Sequence, residues 1–273
     1  MAVLEKQAGK FRVLYYSSFL EPVSLIRNLF QSRVIAHKGR GGIRIVETGG
    51  LTLVVRKYVH GGLFRAFTGD LFLTGKRVVS EAETMLYLQE RGFPVVAPFA
   101  AIVERGFILK RLYLVTLFEE HAVSLLEYLQ ASGKRQRMGV AKRLARLLWE
   151  LRHAGVYHPD LHPGNVLVTP DGRLLFLDFD RAVRKSVRPR DARSMIRRLC
   201  RFGDKMERQG LLATDRREKA LFLRAYGRLA GEDMAARMGG GEKLRGYLHR
   251  AGWRIESALF GERKCRQGPH FPD

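Results

Sequence analysis

Cysteine is nearly absent: only Cys200 and Cys265 occur in 273 residues, too far apart for a metal or redox pair. A disulfide-stapled secreted scaffold is excluded, and both are read as thiols of a reducing compartment. Long apolar runs are missing too. No stretch approaches the roughly 18 residues a spanning helix needs. The opening segment MAVLEKQAGKFRVLYYSSFL has no apolar core followed by a small-residue cleavage site. The expectation is a soluble, cytoplasmic protein. Internal repeats are lacking, which argues against a solenoid.

Acidic residues are scarce as well. Against 49 Lys and Arg stand 27 Asp and Glu, a net charge of +22. Solubility alone calls for a magnitude of roughly 2 to 8 in a small domain, so the excess points to an anionic partner held by a long-range field. Nucleic acid, an anionic membrane face and a phosphorylated glycolipid all answer to it. No basic motif interleaved with aromatics is present, so nucleic acid is not expected. A hydrophobic content of 46% is ordinary for a globular chain with a sizeable core.

The texture changes along the chain. Residues 33–118 carry short β-branched runs, and residues 119–265 carry longer helical periods. This predicts an α+β chain of two lobes, β-rich first and helical second, with residues 1–32 as an extension and 266–273 as a polar tail. In the first lobe the cluster KGRGGI leads into IRIVET, a turn at Gly49-Gly50 and the run LTLVVRKYV, read as antiparallel strands. A helix ending near Arg91-Gly92 follows, with Glu81, Met85 and Leu88 on one face. FPVVAPFAAIVERG reads as two short extended pieces, and LYLVTLF as a buried strand. In the second lobe, Val140, Leu144, Leu147, Leu148 and Leu151 mark an amphipathic helix stopped by Gly155.

Chemistry concentrates after that helix. The segment His158-Pro159-Asp160-Leu161-His162-Pro163-Gly164-Asn165 matches H-x-D-L-x-x-x-N, and Asp178-Phe179-Asp180 follows a hairpin in the place of D-F-G. Asp and Asn beside Pro and Gly are common turn residues, but their order around a hairpin is what phosphoryl transfer requires. A carboxylate must orient an acceptor hydroxyl and take its proton, the role assigned to Asp160. Oxygen ligands must hold the Mg2+ that neutralises the phosphates of ATP, the role assigned to Asn165 and Asp178. His158 is expected to brace the loop. In the first lobe Gly39, Gly41 and Gly42 suit a phosphate-covering turn. Arg56 and Lys57 compete for a cleft cation, because neighbouring strand residues face opposite sides. The V-A-I-K register favours Arg56. Glu81 is its expected helix partner, unless Ser80 and Glu83 form a capping box that starts the helix too late.

These residues resemble the lipopolysaccharide kinase family, and within it the 3-deoxy-D-manno-octulosonic acid (Kdo) kinases. The likeness rests on GRGG, VVRKYVHGGLFR, RGFPVVAP, HAGVYHPDLHPGNVLV, LDFDRA and the arginine-rich RRLCRFGDK. It implies a two-lobed protein-kinase-like fold and ATP-dependent phosphorylation of a Kdo hydroxyl on Kdo-lipid A or a related anionic glycolipid. It also implies a peripheral place on the anionic cytoplasmic face of the inner membrane. A heptose kinase, another small-molecule kinase and a RIO-like protein kinase remain open, as does a basic binding module without activity. Arg56 in place of lysine, Lys57 where the family more often has histidine, and Asp180 in place of glycine depart from the pattern.

Overall fold

A computed structural model describes residues 4–15, 43–48, 50–60, 69–212, 216–234 and 238. The chain begins with β1 (Leu4–Ala8) and β2 (Phe11–Tyr15), then β3 (Ile43–Thr48) and β4 (Leu51–Lys57). Helix α1 (Lys76–Glu90) precedes the hairpin of β5 (Pro98–Arg105) and β6 (Lys110–Leu117). These six strands form one antiparallel sheet ordered β1-β2-β5-β6-β4-β3. Residues 4–15 therefore correct the boundary drawn from sequence. They are not an extension ahead of the lobe but two strands of its sheet, with Val13 opposite Ile102 of β5. Their partner lies about 90 residues downstream, so no local turn signal could reveal the pairing.

Period-2 alternation gives the sheet two buried faces. Leu14, Ala101, Val103, Leu112 and Leu114 pack with Val78, Ala82, Met85 and Leu88 of α1. Val13, Val46, Leu53, Val55, Ile102 and Val115 form a separate cluster. On β4 the faces are thus sorted: Leu53 and Val55 belong to that second cluster, while Tyr58 joins the α1 side. Helix α1 stops where glycine permits it, with Gly92 at φ 71°. The FPVVAPFAAIVERG stretch makes one strand, from Pro98 to Arg105, and Val95 ahead of it bridges to Phe176 of the second lobe.

The second lobe starts with β7 (Val123–Ser124) and α2 (Leu125–Ala131), which Ser124 caps reciprocally with Glu127. Helix α3 (Lys134–His153) buries Val140, Leu144, Ala145, Leu148 and Leu151 and packs on α5 (Arg216–Ala230). It begins six residues earlier than the apolar period suggested, because its first turns, KRQRMG, are polar. Strand β8 (Val156–Tyr157) pairs with β11 (Val183–Arg184). Between them lie a 3-10 turn (Pro163–Asn165) and the hairpin of β9 (Val166–Val168) and β10 (Leu174–Phe176). Helix α4 (Pro189–Arg208) closes against this loop. Among the described residues, no helix is long and apolar enough to cross a membrane.

Candidate active site

The loop between β8 and β9 is pinned from below by side chains that have no exposure. Leu161 and His158 are both fully buried, and the His158 ring lies 5.1 Å from that of Phe179. Its backbone N–H donates to Met195 Sδ of α4 at 3.2 Å. Burial pushes the His158 imidazole down to about 4, against the attraction of Asp178 and Asp160. Neither ring nitrogen makes a hydrogen bond of ordinary geometry, although the Leu177 carbonyl faces the ring. Burial thus favours the neutral ring, which packs beneath the loop against Phe179.

Above it, Asn165 Nδ2 donates to the Asp160 carbonyl at 3.3 Å, and the Leu177 N–H donates to the Asn165 carbonyl at 3.0 Å. These bonds bring Asp160, Asn165 and the segment after β10 together. His162 caps the 3-10 turn by accepting the Gly164 N–H at 3.1 Å, and its ring stacks on Phe202 of α4 with centroids 4.6 Å apart. Asp178 has φ 63°, a left-handed conformation that aspartate tolerates better than most residues. Backbone placed this way after a strand is a recurrent feature of functional sites.

From the first lobe Arg56 reaches across. Its Nη1 donates to Asp178 Oδ1 at 2.6 Å, and its Nη2 donates to Glu81 Oε2 at 2.5 Å and to the Tyr58 hydroxyl at 3.3 Å. Tyr58 in turn donates to Glu81. Lys57, one residue on, points the other way and pairs with Asp70. The period of the strand has sorted the two candidate cations. Glu81 sits in the middle of α1, because the helix starts at Lys76 rather than at a Ser80–Glu83 box. Burial pushes the Glu81 carboxyl up to about 7 against the pull of Arg56, with Asp178 adding repulsion. Burial opposes the charge on Asp178 too, but Arg56 overrides it and holds that carboxyl below its usual range. Gly39, Gly41 and Gly42 lie outside the described residues.

Two further side chains join the site. Arg77, in the first turn of α1, grips both carboxylate oxygens of Asp180, which explains why an acid stands where D-F-G has glycine. Its guanidinium also lies over the Tyr58 ring, 5.3 Å from the centroid. Arg198 of α4 donates to Asp160 Oδ1 at 2.5 Å. Sequence reasoning noted the arginine-rich segment around Arg198 but had no signal for which arginine turns inward. For Arg77 and Tyr58 there was none, since their partners are fixed by the docking of α1.

A divalent cation of the magnesium type needs oxygen ligands and keeps several waters. Asn165 spends only its amide N–H groups on Asp160, which leaves Oδ1, and Asp178 gives one oxygen to Arg56. That donor set fits such an ion. No cluster of three or more His, Cys, Asp or Glu is placed to hold a metal among the described residues.

Comparison with known proteins points one way. Residues 28–226 match the model of the lipopolysaccharide kinase (Kdo/WaaP) family. A protein of Xanthomonas oryzae pv. oryzae named 3-deoxy-D-manno-octulosonic acid kinase is 31% identical over 157 residues, 56% of this chain and 62% of that protein. Its namesake in Xylella fastidiosa is 29% identical over 151 residues, 54% of this chain and 59% of that protein. The match thus spans about three fifths of the length of these relatives, 62% and 59%.

Proposed function

The chain belongs to the lipopolysaccharide kinase (Kdo/WaaP) family, and from that premise we propose that it transfers the γ-phosphate of ATP to a hydroxyl of Kdo in the lipopolysaccharide inner core. The observation that carries the reading is the convergence of Asp160, Asn165 and Asp178 from one lobe with the Arg56–Glu81 pair from the other.

Asp160 is the base. It orients the acceptor hydroxyl and takes its proton as the oxygen attacks phosphorus. Asn165 and Asp178 would hold Mg2+, which neutralises charge on the phosphates when bound. Arg56, backed by Glu81 and Tyr58, would present its guanidinium to the phosphates. Arg198 now occupies the approach to Asp160. An octulosonic acid carries a carboxylate, and an arginine fork binds carboxylates in two parallel hydrogen bonds. Arg198 is therefore read as an acceptor-positioning residue that releases Asp160 as the sugar acid enters. The +22 charge supports an anionic glycolipid at the cytoplasmic face of the inner membrane as the acceptor.

The test is transfer of label from γ-labelled ATP to a panel of Kdo-lipid A, heptosylated core, an aminoglycoside and a generic protein. Label on Kdo-lipid A supports the reading. Label confined to any other member, or on none, overturns it.

A further inference from the structure

The β5–β6 hairpin ends in Gly106-Phe107-Ile108-Leu109, closed by the Gly106 N–H donating to the Leu109 carbonyl at 2.8 Å. Gly106 is needed for that closure, because a Cβ there would meet the Leu109 carbonyl oxygen at 2.7 Å. The two central positions of such a turn ordinarily go to Asn, Asp or Gly, which supply turn geometry and face water well. Here they are Phe107 and Ile108, and neither takes a positive φ that would make the turn a favoured one. Phe107 is 103% exposed and Ile108 68%. Backbone chemistry gives no reason for an apolar pair here, and water penalises it.

Cations stand just behind the tip. Lys10 and Arg111 flank the hairpin beside Arg105; Lys10 is paired with Glu104 at 2.7 Å and Arg111 with Asp70 at 3.0 Å, and both side chains stay open to water, 61% and 44% exposed. Apolar residues at an extremity, with long basic side chains set back from it, suit a bilayer surface. The apolar tip enters the acyl boundary and the ammonium and guanidinium groups remain at the anionic headgroups. A nucleic acid would reward the cations but not the aliphatic tip.

We propose that this hairpin is a membrane finger, with Phe107 and Ile108 inserting into the interface of an anionic bilayer while the exposed Lys10, Arg105 and Arg111 side chains behind them bind lipid phosphates. It deepens the reading above by naming the surface that meets the leaflet, and to that extent rests on it. Vesicle binding needs neither nucleotide nor sugar acceptor, so the two readings fail separately.

The experiment uses the full chain with vesicles of phosphatidylcholine alone and with added phosphatidylglycerol. The parent should partition to the anionic vesicles, and Phe107→Ser with Ile108→Ser should weaken this by about tenfold or more. Circular dichroism checks that the double variant keeps its fold. If it does not, Phe107→Trp carries the test: its emission should shift to the blue on vesicles and be quenched by bromine-labelled acyl chains. Equal partitioning of parent and double variant would overturn the proposal, as would an unshifted, unquenched Trp in the bound protein. So would a concentration-dependent dimer that the double variant abolishes, because a second copy would then cover the tip.

Discussion

Each wall of the cleft buries an ionisable group that titrates far from its ordinary value, and the same physics drives both towards neutrality by opposite shifts. In the lower wall His158 is pushed down to about 4 by burial. In the upper wall Glu81 is pushed up to about 7 by burial, despite an arginine in hydrogen-bond contact. The walls differ in how they are built. Residues 158–180 assemble the lower one within a single loop and hairpin. The upper one joins Arg56, Tyr58 and Glu81 across two elements and is tied to the lower by Arg56–Asp178 and Arg77–Asp180. A locally built wall holds its reacting groups by backbone bonds. A wall built at long range depends on its ion pairs.

The largest effect that sharpens this contrast is expected at Asp160. Asp160→Asn should lower turnover by about a hundredfold or more, with little change in nucleotide affinity or thermal stability, since the loop is held by Asn165 and His158. Steady-state kinetics on the acceptor found by labelling, with nucleotide titration beside it, would check this. Turnover within a few-fold of the parent sinks the assignment.

In the upper wall one substitution should damage stability and activity together. Arg56→Ala strands Glu81, which is 1% exposed, and should cost about 2 to 4 kcal/mol in urea unfolding as well as most activity. Loss of activity with unchanged stability would show that the wall stands without its ion pair.

The pH trends of the two walls should also oppose each other. The folded Glu81 binds its proton more tightly than its ordinary value of 4.5, so its contribution is full below that pH and lost as pH rises towards 7. The folded His158 binds its proton less tightly than its ordinary 6.5, so its contribution is full above that pH and lost as pH falls towards 4. Between about pH 4.5 and 6.5, Glu81→Gln should make melting temperature rise more steeply with pH than in the parent. His158→Asn should make it rise less or fall. Melting curves of parent and both variants with coincident slopes would refute the shifts.

The smallest effect belongs to Lys57. Lys57→Ala removes a pair with Asp70 that is partly open to water and should cost less than about 1 kcal/mol, with activity near the parent's. Damage matching that of Arg56→Ala would reassign the phosphate contact.

What could be read in advance follows the same division. Asp160, Asn165 and Asp178 were legible because a loop, a tight hairpin and a strand place them within 19 residues, and local turn chemistry dictates that placement. The buried stripe of α3 was legible from its period, whereas its polar first turns were not. Strand alternation showed that only one of Arg56 and Lys57 faces the cleft, and the V-A-I-K register favoured Arg56. The sheet supplies the reason, since Leu53 and Val55 commit the face of Lys57 to the second cluster. Strands β1 and β2 form a tight hairpin at Gly9-Lys10, but their place in the sheet was missed because the pairing of β2 with β5 is long-range and carries no local signal.

The sequence by itself determined the spacing of the 158–165 loop and of Asp178 beyond its hairpin, the two-lobed α+β division and the family, because these rest on local spacing and composition. Only the tertiary structure decided that Arg77 answers Asp180, that Arg198 stands at Asp160, and that Phe107 and Ile108 crown an exposed turn. Each of these depends on where a helix docks or a hairpin ends, and packing of residues distant in the chain sets that geometry.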